Sequence, residues 1–338
     1  RLETTFDEII DEMIANAWYS VREFHIHLSG IQADGLVRDG LERAILQLTE
    51  LSEIPANASK VEIKNAIKEH REELKKAKEQ LTNMVPYRAL AGFFTRRNEV
   101  PDWGSVKRIT AYIQKINELV TPLPYVLGES SKLKKEVHFH PDWIAMIQDN
   151  TVNILGWIQY EKVKWLQNNN PEVPGLIYKL AAMDEKMRKL SNVRKLWQGI
   201  MKVQEIRDVF TGQPVKEKQY DVDHFIPWSF VMNDELWNLM PMDSSLNSSK
   251  SNRLPKWNPF FEVFAGNQYL MYELINERPE LHKRFEACYR DNLHSIWAGQ
   301  ELYRKGNSRE VFYNILEKNM MPVYDSARRQ GYEIWNYG

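Results

Sequence analysis

Apolar residues recur every third or fourth position through most of this chain, and that period limits the fold more than any other feature. Phe6, Ile9, Ile10, Met13, Ala17 and Val21 form the buried stripe of one amphipathic helix. Leu41, Ala44, Ile45 and Leu48 repeat the pattern in a helix expected over 36–51. Ser59 with Glu62 three residues on is a capping-box start for a third helix, running towards residue 83. That helix is heavily charged. Its narrow stripe of Ile63, Ala66, Ile67, Leu74, Ala77 and Leu81 suits a surface helix or one paired with another, and makes it a candidate dimer element. Further helices are expected over 102–119, 141–166, 184–205 and most of 258–335. Residues 120–135, with Pro122, Pro124 and Gly128, read as a loop or linker.

Composition narrows the partners. The formal net charge is −1, so nothing global favours nucleic acid, and any such contact must come from a local patch. The single cysteine, Cys288, excludes an internal disulfide and any paired-cysteine zinc ribbon. With no apolar run of ~18 residues and no signal-peptide pattern, no membrane is expected and a cytoplasmic setting is. The chain opens on Arg1, so its biological start is expected upstream. No phosphate-binding loop of the GxxxxGK[ST] type is present, which argues against an NTP-driven motor.

The pattern changes at Asp208. Residues 209–215 read as a short strand and a turn at Gly212, and 220–227 as a second strand closed by Pro227. Asp243 is placed to cap a short helix through Ser251, which Pro255 stops. This strand, strand and helix carry a set of residues suited to phosphodiester hydrolysis, which needs an activated water and a cation on the scissile phosphate. His224 is the candidate general base, because neutral imidazole accepts a proton near neutrality. Asp223 offers a hard oxygen ligand and Asn247 a neutral one, a pair suited to Mg²⁺ or Mn²⁺. Lys250 is a candidate for phosphate contact or for neutralising charge. Adjacent strand residues face opposite ways, so Asp223 and His224 converge only if the strand twists at its end or meets the cation from one side and water from the other.

The stretches DVDHFIPWSF at 221–230, WNL at 237–239 and NSSKSNRLP at 247–255 closely resemble the HNH endonuclease family. They are most similar to its cysteine-free subgroup, which includes the HNH domain of RNA-guided CRISPR effectors. The resemblance covers residues 209–257. It implies a ββα-metal finger in which Asp223 and Asn247 hold the metal and His224 activates the water. It also implies that Asn238 braces the loop holding the histidine. Members with paired cysteines staple the finger with zinc. Here no structural zinc is expected, and packing through Phe210, Phe225, Ile226, Trp228, Phe230, Trp237 and Leu239 is expected instead.

Other candidates lie outside the motif. His138 and His140 share a strand face, with Asp142 following, and His25 with His27 raises the same metal question. A basic stretch precedes the finger: Lys186, Arg188, Lys189, Arg194, Lys195, Lys202 and Arg207. Of these Lys195, Lys202 and Arg207, with Arg253 and Lys256 beyond the motif, are the candidate nucleic-acid contacts. The expected fold is mainly α, with a helical N-terminal region and an HNH finger embedded in C-terminal helices. The expected domains are 1–135 for targeting, sensing or docking, 136–207 as a basic connector, 208–257 as nuclease core and 258–338 packing upon it. The expected function is metal-dependent nicking of double-stranded DNA, in prokaryotic defence or restriction by family resemblance. A partner protein or a homodimer fits as well. RNA cleavage, or a non-catalytic nucleic-acid-binding subunit of a larger complex, is the alternative.

Overall fold

The computed structural model describes residues 2–30, 36–83, 85–94, 106–119, 123–180, 188–217 and 219–337. Contacts divide the chain into two compact units: Arg1–Pro171 with Lys179–Ala182, and Glu172–Tyr178 with Met183–Gly338. The architecture is mainly α, with small sheets.

In the first unit, β1 (Glu3–Thr5) leads directly into α1 (Phe6–Phe24). Thr5 caps that helix in a capping box: its hydroxyl accepts from Glu8 N while the Glu8 carboxylate accepts from Thr5 N. Ile10, Ile14 and Trp18 of α1 bury against α2 (Gly40–Leu51), α3 (Lys60–Glu69) and α4 (Arg71–Leu81). The single helix expected over 59–83 is two, parted at His70, where ψ rises to 31°. Its narrow stripe is used up inside the unit, because Ile63, Ile67 and Leu74 lie in this core, and so it is not a free dimer surface.

A second small core joins Phe6, Tyr87, Leu90, Ile109, Ile113 and Val137. It gathers α5 (Val85–Arg88), α6 (Ala91–Phe94), α7 (Val106–Leu119), β2 (Tyr125–Leu127) and β3 (Glu136–Phe139). The three strands order as β1–β3–β2, both pairings antiparallel. Part of the expected 120–135 loop is therefore strand: Tyr125, Val126 and Leu127 form a short β-prone run that the neighbouring prolines obscured. The expected domain limit at 135/136 falls within this unit, since β3 pairs with β1 and Lys135 O accepts from Phe6 N. The helices α8 (Pro141–Asp149) and α9 (Thr151–Asn169) complete the unit.

After the segment Glu172–Tyr178, the second unit continues with α10 (Ser191–Met201), shorter than the expected 184–205, of which 184–187 lie outside the described residues. Then come β4 (Tyr220–His224), α11 (Trp228–Val231), β5 (Leu239–Asp243) and α12 (Ser244–Lys250). β4 and β5 pair antiparallel with Asp223 opposite Met240. The expected strand at 209–215 is instead a turn closed by the bridge Arg207–Pro214. Asp208 makes it: its Oδ1 accepts from Phe210 N and Thr211 N, an Asx-type turn, and its Oδ2 accepts from Asp243 N at 3.0 Å. The second strand of the finger is β5, which the sequence left as loop. It is buried on both faces and shows no alternation.

A short parallel pair, β6 (Leu254–Pro255) with β7 (Ile334–Trp335), ties the end of the finger to the C-terminal segment. α13 (Trp257–Glu277), α14 (Pro279–Glu286) and α16 (Arg309–Arg329) share one hydrophobic core with the finger, and α15 (Tyr289–Asn292) lies between two of its core residues, Cys288 and Leu293. Phe225 lies 4.7 Å from Phe264, ring to ring, and Trp257 stacks on Phe261. Of the residues expected to pack the finger, Trp228 alone is half-exposed, with the Arg188 guanidinium over its ring. Among the described residues no helix is long and apolar enough to cross a membrane.

Candidate functional site

β4 alternates regularly. Tyr220, Val222 and His224 turn into the interior, while Asp221 and Asp223 share the opposite, part-exposed face. α12 packs across the β4–β5 hairpin, capped by Asp243, whose carboxylate accepts from Ser245 N. This brings Asn247 and Lys250 over the two aspartates. The Asn247 amide donates to Asp221 Oδ2 at 3.4 Å. Lys250, fully buried, donates from Nζ to Asp223 Oδ2 at 2.8 Å and to the main-chain oxygen of His224 at 2.8 Å.

His224 ends the strand and points away from Asp223. The structure joins the two residues through the Lys250 ammonium and not through their side chains. The imidazole is buried, with Nε2 3.1 Å from Asn233 O and 3.2 Å from Asp234 Oδ1. The hydrogen bond to Asn233 O places a proton on Nε2, beside the Asp234 carboxylate, and in the neutral ring the lone pair then lies on Nδ1. Nδ1 is buried without a hydrogen-bond partner.

Burial alone would raise the Asp234 carboxyl. The nearby His224 imidazole and the hydrogen bond from Lys189 N, with the charge of Arg188, outweigh burial and hold it below the ordinary carboxylate range.

The loop from Phe225 to Asn238 sets the position of His224, and it is firmly braced. Asn238, fully buried, accepts from Ile226 N with Oδ1 and donates to Ile226 O with Nδ2, both at 2.8 Å. Phe225 N donates to Asn238 O. The buried Glu235 carboxylate accepts from His294 N, Ser295 N and Trp237 Nε1. Gln268 of α13 donates to Leu236 O and Leu239 O, and Asn292 donates to Asp234 O. These ties either close within the loop or fasten it to α13 and to residues 292–295, so the histidine sits on a firm support.

The oxygen donors Asp221, Asp223 and Asn247 on one face suit a hard divalent cation that keeps most of its waters. Asp223 and Asn247 are the two that the sequence singled out. Asp221 and Asp234 were missed. Asp221 stands two residues before Asp223, on the same strand face by the period of two. Asp234 lies ten residues beyond His224, and only the loop's folding brings it near.

The remaining candidates separate clearly. Lys195, Lys202 and Lys256 are exposed and form no ion pair among the described residues. Arg207 pairs with Glu205 and donates to Gly212 O, and Arg253 donates to the carbonyls of Lys250 and Ser249. Arg194 lies over the Tyr220 ring and 3.7 Å from Asp221, while Lys189 pairs with Asp291. Lys186 lies outside the described residues. His138 sits against Glu3, His140 caps α8 by accepting from Asp142 N, and His27 sits against Glu42. His25 ends α1 in the left-handed region. No group of three or more His, Cys, Asp or Glu able to hold a metal ion occurs among the described residues, so these histidines form no metal site there.

Residues 208–256 match the family described as HNH endonuclease. The match spans the Asp208 turn, both strands of the finger, the braced loop and α12. No curated protein and no solved structure matches the chain. The chain carries an HNH nuclease domain, a hydrolase that acts on nucleic acid, and nucleases of this family are metal-dependent.

Proposed function

We propose that this HNH endonuclease hydrolyses phosphodiester bonds of double-stranded DNA, nicking one strand at each encounter, with His224 as general base. The observation that carries the reading is the imidazole itself. Its Nε2 edge is held by Asn233 O and Asp234, and its Nδ1 is left without a partner. A base set up in one tautomer on a braced loop needs no ring reorientation to take a proton, once water is admitted to the buried Nδ1.

Mg²⁺ or Mn²⁺ held by Asp223 and Asn247 would supply positive charge at the scissile phosphate. The chain's own residues do the rest. His224 Nδ1 accepts the proton of the attacking water. Asn233 O and the Asp234 carboxylate then stabilise the imidazolium, as a buried acid does for other catalytic histidines. Asn238 keeps the loop in place throughout. Lys250 fixes the Asp223 carboxylate and the end of β4, and its charge lies near any phosphate bound there.

Lys195, Lys202 and Lys256 are exposed cations suited to backbone phosphates. Products with a 5′ phosphate and a 3′ hydroxyl, and a role in prokaryotic defence or restriction, follow from the family resemblance. Cleavage of supercoiled plasmid with Mg²⁺ or Mn²⁺ tests the proposal. Wild type should yield nicked circles, and His224→Ala should bind DNA but fall at least 100-fold in rate. Equal cleavage by His224→Ala, or cutting of matched RNA in preference to DNA, would overturn it.

A further inference from the structure

The most exposed apolar surface of the first unit is the helical arm of α8 and α9. Hydrogen bonding runs through their junction: Asn150 N donates to Met146 O, and Asn150 O accepts from Ile154 N. The C-terminal end of α9 is anchored, with Leu166 buried and Trp165 Nε1 donating to Leu28 O. Trp143 at the other end packs edge-on against Phe93. Between these anchors nearly every residue from 145 to 160 is exposed. Val152 is 85%, Trp157 65%, Tyr160 61% and Leu155 56% exposed, with Ile158 and Ile147 close behind.

A helix apolar on all sides is ordinarily covered, and one projecting into water gains nothing from tertiary packing. Together with Met146 and Trp165, those side chains expose roughly 900 Å² when their fractions are scaled to ~200 Å² each. A stable association uses about 800 Å² from each partner, a similar magnitude, and a two-fold contact draws on the face that carries Val152, Gly156 and Tyr160.

We propose that a second copy of this chain covers the arm, with α9 packed on its symmetry mate about a two-fold axis. Charge favours a copy over other occupants. From Trp143 to Tyr160 the only charged residue is Asp149, so two identical arms meet without repulsion across an isologous contact. An interfacial membrane helix would carry a lysine- or arginine-rich face, and this segment has neither residue type.

Gly156 is a second, independent sign. It lies mid-helix, where glycine costs about 1 kcal/mol relative to alanine, and a Cβ there would meet nothing within 4 Å. Nothing in the described chain calls for a glycine at that point. Close approach of a second helix backbone does. The two copies would carry two nuclease sites, one for each strand, but the pairing itself does not depend on the chemistry at His224.

Light scattering on the eluting full chain tests this directly. Wild type at 10–50 µM should run at twice the 40.0 kDa chain mass, with dissociation on dilution. Gly156→Leu, which has open space in the single chain, and Val152→Glu/Tyr160→Glu, both at exposed positions on the same ridge as Gly156, should run as monomers with unchanged circular dichroism. A wild-type monomer at 50 µM overturns the proposal, and so does a Gly156→Leu protein that stays dimeric. Flotation of a monomeric wild type with phosphatidylcholine vesicles would assign the arm to a membrane instead.

Discussion

Replacing Lys250 with methionine keeps the buried stem and removes only the ammonium. In the folded chain that ammonium is almost wholly enclosed and makes two 2.8 Å bonds, to Asp223 Oδ2 and to the main-chain oxygen of His224. Its loss strands a carboxylate that is 14% exposed and a carbonyl at the end of β4. Removing one partner of a buried pair costs roughly 3–5 kcal/mol. Water reaches Asp223, so solvent screening discounts that range to about 2–4 kcal/mol. For a unit of this size the midpoint of thermal unfolding should fall by about 5–15 °C.

A double-mutant cycle separates the pair from the packing. Asp223→Asn in the Lys250→Met background removes the unpaired charge, so the double variant should be more stable than Lys250→Met alone by about 1–2 kcal/mol. Mg²⁺ supplies a further check. In wild type a cation at Asp223 competes with the ammonium, whereas in Lys250→Met it meets a free carboxylate. Saturating Mg²⁺ should therefore raise the melting temperature more in the variant than in wild type. A Lys250→Met protein melting within 1 °C of wild type, or strict additivity in the cycle, would refute the buried-pair reasoning.

Asp234→Asn should lower kcat by about 10–100-fold with little change in KM, since it removes the charge that stabilises the protonated His224 while keeping shape; single-turnover nicking reads this. Asn238→Ala leaves Ile226 N and O unpaired in a buried site and should cost about 2–4 kcal/mol in denaturant unfolding, with a parallel loss of cleavage. Acid should weaken the first unit through His25. Burial, with Arg22 and His27 nearby, lowers its pKa from 6.5 to about 4, so the unfolded chain binds the proton first. Stability then falls as pH drops from 6.5 towards 4, by up to about 3 kcal/mol, and His25→Asn, which tolerates the left-handed backbone, should flatten that slope. Removing Lys195, Lys202 and Lys256 together should weaken DNA binding uniformly across sequences and reduce the salt slope by about 1 for each phosphate no longer neutralised.

The candidate site was legible where its logic is local. Asp223, His224 and Asn247 declare themselves by residue type and spacing, and Asn238 by its place in the motif. Asp208 was readable too, because an aspartate two and three residues before amides in a Phe-Thr-Gly stretch is an Asx-turn signature, but the apolar Val209 and Phe210 suggested a strand. β5 was not readable. Leu239, Met240, Pro241 and Met242 are all buried, so no period separates inside from outside, and Pro241 argues against a strand. β2 was hidden in the same way by the prolines that flank it. Asp234 and Glu235 required the folded loop, since their partners Lys189, His294 and Ser295 lie about 45 to 60 residues away.

What replaces zinc in a cysteine-free finger also required the structure. The expected substitute was packing through the finger's own apolar residues; of these Phe210, Phe225, Ile226, Phe230, Trp237 and Leu239 are buried, and Phe264 and Trp257 of α13 pack against Phe225. Packing is non-directional, however, and cannot by itself fix where the base of the finger meets the start of α12. Asp208 does so with four acceptor contacts: three close its own turn and the fourth holds Asp243 N, one residue before the helix that carries Asn247 and Lys250. A buried carboxylate with every contact an N–H or O–H donor is a directional staple made without a metal. The face that carries the candidate site is thus registered at two points, by Asp208 at the base of α12 and by Lys250 at its end. Loosening either should displace Asn247 from the aspartates while leaving the aromatic core intact.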